Sequence, residues 1–418
     1  MAAAAPLRRL AVLTSTRADY GLWRPLLAEL ERRGRIAPLL VVTGTHLEDR
    51  HGRTIAEIAA DGRRAWREIP LALADDSPQT ASRAIARLAE ELGALFADPA
   101  ARPDALALLG DRFELLGAAA AALVAAVPIF HIHGGEVTEG AFDDAVRHAV
   151  SKMAALHFAA TADAARRLMR MGEPAGRVHV VGALGVDAIH TEPALDEAEL
   201  AALLGLPGRR LPRPLVVVTW HPVTRDPAAT RRGLAAILAA LEAQPDLHVV
   251  WTAPNADPGA DGIRDAARRF AAAHPGRAFF VDSLGHRAYV SLLRHAIAVV
   301  GDSSSGILEA PAIPTATIDI GPRQQGRPKA PSVISCPEDA AAITAALERV
   351  RDPAFRAALA GTVHPFGDGR AAARIADVLE ELPDWSALVA KPFCDREDPA
   401  GSGMDAILRR SEDAWAAS

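Results

Sequence analysis

Short apolar runs alternate with longer amphipathic stretches along most of this 418-residue chain. The runs have the length of buried strands, and the stretches between them repeat apolar residues at helical spacing. Strands are predicted at residues 10–14, 37–43, 105–109, 128–132, 157–160, 178–181, 214–219, 248–252, 278–281, 296–300 and 315–318. Helices are predicted in the intervals, for example at residues 22–33, 82–96, 141–155, 231–242 and 286–294. This alternation predicts an α/β fold of parallel sheets with helices on both faces.

The alternation breaks between Gly182 and Arg213, where glycines and prolines surround a charged predicted helix at residues 196–203. So many strands rarely form one sheet, and the patterns on the two sides of the break are similar. We therefore expect two Rossmann-like domains, at residues 1–185 and 186–383, which face each other across a central cleft. The last predicted helix, 370–382, can pack back on the first domain, and residues 384–418 are expected to form a peripheral tail.

Composition narrows the class of protein without identifying it. The net charge of −6 and the pI near 6.2 give no indication of a nucleic-acid or membrane partner. No apolar stretch approaches the ~18 residues of a membrane span. The two cysteines, Cys336 and Cys394, suit a reducing compartment, so we predict a cytoplasmic globular protein. No spacing of His, Cys or Asp predicts a metal site, and no Gly-x-Gly-x-x-Gly follows the first strand, which disfavours NAD.

Polar clusters follow the predicted strands in both halves of the chain. They lie at residues 14–21, 43–46, 110–114 and 131–140 in the first half, and at 220–222, 255–257, 282–283 and 301–306 in the second. In open parallel sheets, ligands bind beyond the carboxyl ends of the strands. Because each of these clusters follows the carboxyl end of a predicted strand, together they predict a binding cleft that is lined by residues of both domains.

The cluster at residues 131–140 is the most informative, because imidazoles, glycines and carboxylates directly follow an apolar strand. Such a density of titratable groups suits proton transfer better than it suits core packing. His131 is buried by its pattern and can be an ordinary core histidine. His133 and Glu136 flank two glycines, which would let a ligand approach the backbone closely. These two residues are therefore the better catalytic candidates.

The helix predicted after this cluster carries two pairs at i,i+4 spacing, Asp143 with Arg147 and Asp144 with His148. The pairs form either an exposed ion-pair face or a part of the site.

Two further clusters of the first half also allow two interpretations each. Asp111, which precedes Arg112, either caps the next helix or acts as a base or charge stabiliser at the centre of the cleft. Arg17 and Asp19 form either a helix cap and an ion pair, or a phosphate ligand and a group that positions a sugar.

In the second half, residues 301–309 join a strand to a helix through the sequence Gly-Asp-Ser-Ser-Ser-Gly. Backbone N–H groups, hydroxyls and the positive end of a helix dipole suit a diphosphate, and a single serine cap is the ordinary alternative. Glu309, one turn into that helix, either is solvated or accepts hydrogen bonds from ribose hydroxyls. For His221, which follows a different predicted strand of this half, three roles stay open: a structural residue, a phosphate ligand or an acid. No lysine follows the glycines of residues 301–306, so that segment is not a Walker motif.

Taken together, these motifs resemble the hydrolysing UDP-N-acetylglucosamine 2-epimerases, which make N-acetylmannosamine for sialic acids and related sugars. The matching segments are residues 16–21, 110–112, 131–136, 143–149, 301–306 with Glu309, and 321–324. They lie in the family's order over about residues 10–380. Each segment is weak alone, but the set is highly specific. The tail after residue 384 matches nothing in the family.

The resemblance implies a GT-B-like fold, a homodimer or homotetramer, and no metal or redox cofactor. It implies that UDP leaves by anti elimination across C1 and C2 of the sugar, and that water then adds to the 2-acetamidoglucal. The catalytic residues that we predict are Asp111, His133, Glu136, Asp143 and His221. The residues predicted to bind the UDP-sugar are Arg17, Asp19, His46, Arg112, Arg147, Asn255, Ser283, Ser304, Ser305, Gly306, Glu309 and Arg323.

Two points stay open at this stage. The related non-hydrolysing epimerases carry Glu where His133 stands, so the base at C2 is His133, Glu136 or Asp111. The alternative functions are the same chemistry on UDP-2,4-diacetamido-2,4,6-trideoxyglucose or on a GDP-linked sugar, a GT-B glycosyltransferase, and a sugar-nucleotide sensor without turnover.

Overall fold

The computed structural model describes residues 7–49, 52–75, 77–137, 142–191, 193–206, 208–223, 226–254, 260–313, 315–362 and 364–395. The chain divides into two compact units. The first comprises Met1–Ala188 together with Phe366–Ser418, and the second comprises Ile189–Pro365. The last part of the chain therefore belongs to the unit in which the chain begins.

Strands and helices alternate in both units. The strands are β1 (Arg8–Thr14), β2 (Ile36–Thr43), β3 (Arg67–Ile69), β4 (Ala105–Leu109), β5 (Ile129–Ile132), β6 (Leu156–Ala159), β7 (Val178–Val180), β8 (Leu215–Thr219), β9 (His248–Thr252), β10 (Ala278–Val281), β11 (Ala298–Gly301), β12 (Ala316–Ile320) and β13 (Val333–Cys336). The α-helices are α1 (Arg17–Arg33), α2 (Ile55–Ala60), α3 (Pro78–Ala97), α4 (Leu115–Val124), α5 (Asp143–Met153), α6 (Ala162–Arg170), α7 (Leu184–Thr191), α8 (Glu197–Leu203), α9 (Pro227–Glu242), α10 (Ala260–Ala273), α11 (Gly285–Leu293), α12 (Ser305–Leu308), α13 (Ala340–Arg351), α14 (Pro353–Leu359) and α15 (Ala371–Glu381).

The first unit contains a parallel sheet in the order β3-β2-β1-β4-β5-β6-β7. Successive residues of β1 point to opposite faces, so Leu10 and Val12 enter one core cluster while Ala11 and Leu13 enter another. Side chains of α1 and α15 fill the first cluster, and side chains of α3, α4 and α5 fill the second. Because both faces are covered, the inner strands read as continuous apolar runs.

The second unit repeats this plan with a parallel sheet in the order β10-β9-β8-β11-β12-β13. Val216 and Val218 of β8 pack against α9, α10 and α13, whereas Leu215 and Val217 pack on the opposite face with α8 and α11. The prediction of parallel sheets with helices on both faces is therefore confirmed in each unit.

The predicted peripheral tail, as far as residue 395, is anchored to the first unit at a few points. Trp385 is buried, with its ring 5.1 Å from that of Phe130 in an edge-to-face arrangement, and its indole N–H donates to the Leu379 carbonyl over 3.1 Å. Lys391 donates to the carbonyls of Lys152 and Ala154. Most of residues 384–395 are exposed, and isolated anchors such as Trp385 and Lys391 leave no periodic pattern in the sequence.

Among the residues that the structure describes, no helix has both the length and the apolar character needed to cross a membrane.

Candidate active site

Each sheet has one position at which the strand order reverses, so that the chain segments following two neighbouring strands lead in opposite directions along the sheet. In the first unit it lies between β1 and β4, and in the second it lies between β8 and β11. A crevice forms beyond the carboxyl ends of the strands at such a switch point, and it is the usual ligand site of open α/β sheets. Most of the predicted site residues follow one of these four strands or the adjacent strand β5.

The loop after β1 is built around the carboxylate of Asp19. It accepts hydrogen bonds from the backbone N–H groups of Ser15 and Thr16, over 2.9 and 2.7 Å, and from the hydroxyls of Thr14, Ser15 and Thr16. Thr16 in turn caps α1 by accepting from the Asp19 N–H, so the two residues form a capping box. The cap therefore exists, and it fixes the backbone that presents Arg17.

His46 supports the same loop from the end of β2. Its Nε2 lies 3.1 Å from the Thr14 hydroxyl and its Nδ1 lies 2.8 Å from the Thr54 hydroxyl. Burial lowers the pKa of His46, although the charge of Asp19 opposes the effect. The ring is therefore neutral and holds β1 and β2 together. Arg17 lies at the surface with its guanidinium 3.9 Å from Glu57.

The loop after β4 forms an ion pair with α5. Asp111 accepts a hydrogen bond from Nη2 of Arg147, whose side chain is almost fully buried. Nε and Nη1 of Arg147 are buried and have no hydrogen-bond partner among the described residues. Asp111 is thus a partner of the helix that follows β5 and not the cap of α4, whose N-cap residue is Glu114.

Asp143 lies one turn before Arg147 on α5. Burial and the nearby charge of Asp111 raise the pKa of the Asp143 carboxyl, against the opposing effects of Arg112 and Arg147. Arg112 donates to the buried Glu114 over 2.6 Å. Arg147 is buried and pairs with Asp111, so Asp143 and Arg147 do not form the exposed ion-pair face that was one of the two interpretations.

The turn after β5 brings His133 and Glu136 together. Nδ1 of His133 lies 2.7 Å from Oε1 of Glu136, and both side chains are largely buried. Because a carboxylate can only accept, Nδ1 carries a hydrogen, and in the neutral form of the ring the lone pair is on Nε2. That Nε2 is buried without a hydrogen-bond partner among the described residues. His133 has a φ of 62°, a left-handed conformation that is strained for a residue with a Cβ.

The two glycines of this turn serve packing inside the protein. A Cβ on Gly134 would lie 2.8 Å from Nδ1 of His131, and a Cβ on Gly135 would lie 2.4 Å from the Ala164 carbonyl oxygen. Arg167 also donates to the Gly135 carbonyl. The glycines therefore hold the turn against the sheet and α6, and ligand approach, which the sequence suggested, is not needed to explain them.

His131 is a satisfied core histidine. It lies between the Gly110 carbonyl, 2.8 Å from Nε2, and the Ser151 hydroxyl, 3.0 Å from Nδ1. Burial lowers its pKa to about 3, so the ring is neutral and links β5 to the loop that carries Asp111.

In the second unit, His221 follows β8 and is buried. Burial, together with the nearby charge of Arg323, lowers the pKa of His221 to about 3. A neutral imidazole can donate one N–H to a phosphate oxygen but adds no positive charge. Arg323 donates to the Pro222 carbonyl over 3.3 Å, so the turn after β12 contacts the loop that carries His221.

The serine segment after β11 is held by a tyrosine that the sequence did not indicate. The hydroxyl of Ser305 lies 2.6 Å from that of Tyr289 and 3.0 Å from that of Ser303. Ser304 is exposed, and Gly306 packs so closely that a Cβ there would lie 2.6 Å from Cγ2 of Thr317.

Glu309 is not one turn into a helix, because α12 ends at Leu308 and Glu309 is its C-cap. Burial raises the pKa of its carboxyl. Oε2 of Glu309 is buried without a hydrogen-bond partner among the described residues. The carboxyl of Glu309 is therefore not a solvated helix residue, which was one of the two interpretations from the sequence. One of its oxygens also lacks a hydrogen-bond partner among the described residues.

For two of the residues predicted to bind the UDP-sugar, the structure gives little information about binding. Asn255 lies outside the described residues. Ser283 is exposed and accepts a hydrogen bond from the Gly285 N–H over 3.3 Å. Of the residues that sequence analysis did not select, Tyr289 contacts Ser305 through folding alone, and its spacing along the chain carries no signal, whereas Glu114 lies within the predicted polar cluster 110–114.

Comparison with known proteins agrees with this geometry. A family model described as UDP-N-acetylglucosamine 2-epimerase matches residues 28–380. The chain is 32% identical over 327 residues to the GDP/UDP-N,N'-diacetylbacillosamine 2-epimerase (hydrolyzing) of Campylobacter jejuni, covering 78% of this chain and 84% of the relative. It is 31% identical over 387 residues to the UDP-N,N'-diacetylbacillosamine 2-epimerase (hydrolyzing) of Legionella pneumophila, covering 92% and 99%.

Among solved structures, the chain is similar to the UDP-GlcNAc 2-epimerase of Neisseria meningitidis bound to UDP-GlcNAc. The TM-score is 0.75 and the identity 17%, with 90% of this chain and 100% of that chain covered. At this identity the likeness concerns the fold, and it confirms the predicted α/β, GT-B-like fold class.

Proposed function

Because the chain belongs to the UDP-N-acetylglucosamine 2-epimerase family, we propose that it converts a UDP-2-acetamido sugar and water into UDP and the free 2-epimer. The proposed substrate is UDP-N-acetylglucosamine and the proposed product N-acetylmannosamine. The C2–H and C1–O bonds break as UDP leaves, and water then places hydrogen on the opposite face of C2 and hydroxyl on C1. The observation that carries the proposal is the His133–Glu136 pair, which follows the strand next to the one that leads to Asp111.

The first step needs a base, because the C2 proton is weakly acidic. We assign this role to His133. Its Nε2 has a lone pair and is buried without a partner among the described residues, while Glu136 holds the Nδ1–H over 2.7 Å. Glu136 would thereby fix the tautomer and stabilise the imidazolium that forms. The left-handed backbone of His133 supports a functional role, because strain of this kind persists where a side chain must be held in place.

The second proton transfer needs an acid on the opposite face of the sugar ring. Asp143 fits, because burial and the charge of Asp111 raise the pKa of its carboxyl and favour its protonated form. Asp111, paired with Arg147, would stabilise positive charge that develops at C1 during elimination. Arg112 would help to bind the substrate from the same loop.

We propose that the second unit binds UDP. The hydroxyls of Ser304 and Ser305, the backbone at Gly306 and the guanidinium of Arg323 would hold the diphosphate, with His221 as a neutral donor. The buried Oε2 of Glu309 would bind the ribose hydroxyls. Arg17, Asp19, His46, Asn255 and Ser283 stay predicted site residues, of which Asp19 and His46 act by shaping the loop after β1.

The test is turnover in deuterated water. Wild-type protein should release UDP from UDP-N-acetylglucosamine, and the free product should carry one deuterium at C2 in the manno configuration. A GT-B glycosyltransferase would leave the C2 hydrogen in place. A sensor would bind the sugar nucleotide without releasing UDP, and in that case Asp111→Asn would change nothing but affinity.

The relatives' names favour one second candidate, because two of them are named for N,N'-diacetylbacillosamine. The same assay therefore includes the UDP-linked 2,4-diacetamido-2,4,6-trideoxy sugar and its GDP counterpart. The substrate with the largest kcat/KM identifies the sugar and the carrier. If none of them releases its nucleotide, the proposed function is wrong.

We further propose a cytoplasmic homodimer or homotetramer whose product enters the synthesis of sialic acids or related sugars. The resemblance described above supports this proposal, and light scattering coupled to size-exclusion chromatography tests the oligomeric state.

A further inference from the structure

Asp302 lies at the carboxyl end of the central strand β11 and is fully buried. Its Oδ1 accepts a hydrogen bond from the backbone N–H of His221 over 2.7 Å. Its own carbonyl accepts from Nε2 of Gln324 over 2.8 Å, and its N–H lies 3.3 Å from the carbonyl oxygen of Thr219. One residue thus contacts the end of β8, the end of β11 and the turn after β12.

These three segments carry the groups that we assign to UDP. Asp302 precedes the serine segment, its Oδ1 fixes the backbone of His221, and Gln324 follows Arg323 directly. The neighbouring Gly301 has a φ of 136°, and a Cβ there would lie 1.9 Å from the Thr219 carbonyl oxygen. The backbones at the ends of β8 and β11 are therefore in close contact. A displacement of Asp302 would therefore move all three segments.

We propose that Asp302 is a positioning residue that sets the geometry of the diphosphate site and tunes its charge. The proposal rests on the proposed function, since it assumes that the second unit binds UDP. Asp302 touches no reacting atom in this proposal; it acts through His221, Arg323 and the serine segment.

The charge of Asp302 follows from its surroundings. Oδ2 is buried without a hydrogen-bond partner among the described residues. Burial raises the pKa of Asp302 to about 7, although Arg323 opposes the shift and Asp319 supports it. His221 is neutral, and the charge of Asp319 is paired with Lys329 over 2.7 Å. Asp302 is therefore neutral below pH 7 and carries a negative charge above it, where that charge repels a diphosphate.

The experiment compares wild type with Asp302→Asn and Asp302→Ala, using UDP as the probe. Affinity is measured by calorimetry between pH 6 and 8.5, and kcat and KM are measured for the active UDP-sugar. For the wild type, the Kd for UDP should rise above pH 7 by up to about tenfold per pH unit, because one proton is linked to binding. Asp302→Asn keeps an acceptor for the His221 N–H and should lose this pH dependence while retaining wild-type affinity near pH 6.

Asp302→Ala leaves the buried His221 N–H without its acceptor, and should raise the Kd for UDP and the KM about tenfold at all pH values, with a smaller effect on kcat. Asp339→Asn is the matched control, because it removes one carboxylate from the N-cap of α13 and leaves an amide that still caps. This control should follow the pH profile of the wild type.

The proposal is overturned if Asp302→Asn keeps the pH dependence of the wild type, or if a folded Asp302→Ala protein binds UDP normally. Should Asp302→Ala fail to fold, the profile of Asp302→Asn decides alone. Failure of the proposed function looks different, because the wild type itself would then release no nucleotide from any of the sugar nucleotides tested.

Discussion

Glu173 is the most consequential buried charge outside the proposed site, and its replacement by glutamine tests the energetic reasoning. Its side chain is 0% exposed and accepts hydrogen bonds from Nε2 of His157, Nζ of Lys152 and Nζ of Lys391, over 2.8, 2.8 and 2.7 Å. Lys391 belongs to the segment 384–395, so this carboxylate anchors the end of the described chain. Glu173→Gln keeps the shape of the side chain and removes the charge.

The magnitude follows from the pKa of the carboxyl. Burial alone would raise it, but hydrogen bonds from His157, Lys152 and Lys391 lower the pKa of Glu173 from an ordinary 4.5 to about 2. A difference of roughly 2.5 units at 1.36 kcal/mol per unit gives about 3 kcal/mol of stability at neutral pH. Because the pKa is lower in the folded state, this contribution is present above pH 4.5 and is lost as the pH falls towards 2.

The assay is hydrogen exchange of peptides from β6, β7 and residues 384–395, combined with urea denaturation of the whole chain. At pH 7, Glu173→Gln should lower the free energy of opening of these segments by about 3 kcal/mol. The difference from wild type should shrink below pH 4.5. Asp163→Asn is the control: Asp163 is 63% exposed and pairs with Arg166 at the surface, so its loss should change stability by less than about 1 kcal/mol.

The reasoning is refuted if Glu173→Gln and wild type have the same stability at pH 7, or if their difference does not depend on pH. The first result would mean that desolvation of the carboxylate cancels its hydrogen bonds.

Three further predictions concern the proposed site. His133→Gln should lower kcat at least about 100-fold and abolish deuterium incorporation at C2, while the Kd for UDP stays unchanged; isothermal titration separates the two effects. Asp111→Asn leaves the buried guanidinium of Arg147 without a counter-charge, so kcat should fall by at least about tenfold and thermal stability should drop, as calorimetry would reveal. Tyr289→Phe removes the hydroxyl that contacts Ser305, and should weaken UDP binding by about three- to tenfold with kcat nearly unchanged; an equal loss in kcat would contradict the assignment of this serine to binding.

The sequence patterns predicted the inner strands and two partly buried edge strands, β7 and β10. Inner strands such as β1, β4 and β8 are easily predicted, because both of their faces are covered by helices and their sequences are therefore continuous apolar runs. The edge strands β3 and β13 were missed. β3 has three residues, of which Arg67 and Glu68 are exposed, and β13 is only partly buried, so neither has an apolar run to recognise.

The polar residues at the strand ends were located by sequence, but their roles were not. Asp19 and His133 both follow a strand and both belong to dense polar motifs. The structure gives Asp19 five donors and gives His133 one partner and an unused Nε2. The partners are local in both cases, residues 14–16 for Asp19 and Glu136 for His133, but spacing alone does not show which polar atoms the loop brings together.

Hydrogen-bond satisfaction therefore separates the groups that build the site from those available to a ligand. Buried polar atoms in native proteins almost always have partners, so those without one need an explanation. Asp19, His46 and His131 use their capacity within the fold, whereas the described partners leave Nε2 of His133, Nε and Nη1 of Arg147, Oδ2 of Asp302 and Oε2 of Glu309 unsatisfied. Elimination of a nucleoside diphosphate requires a base for the proton and groups that bind the leaving anion. Several of the atoms that the described partners leave buried and unpaired are thus ones to which we assign the chemistry, and the variants of His133 and Asp302 test two of them.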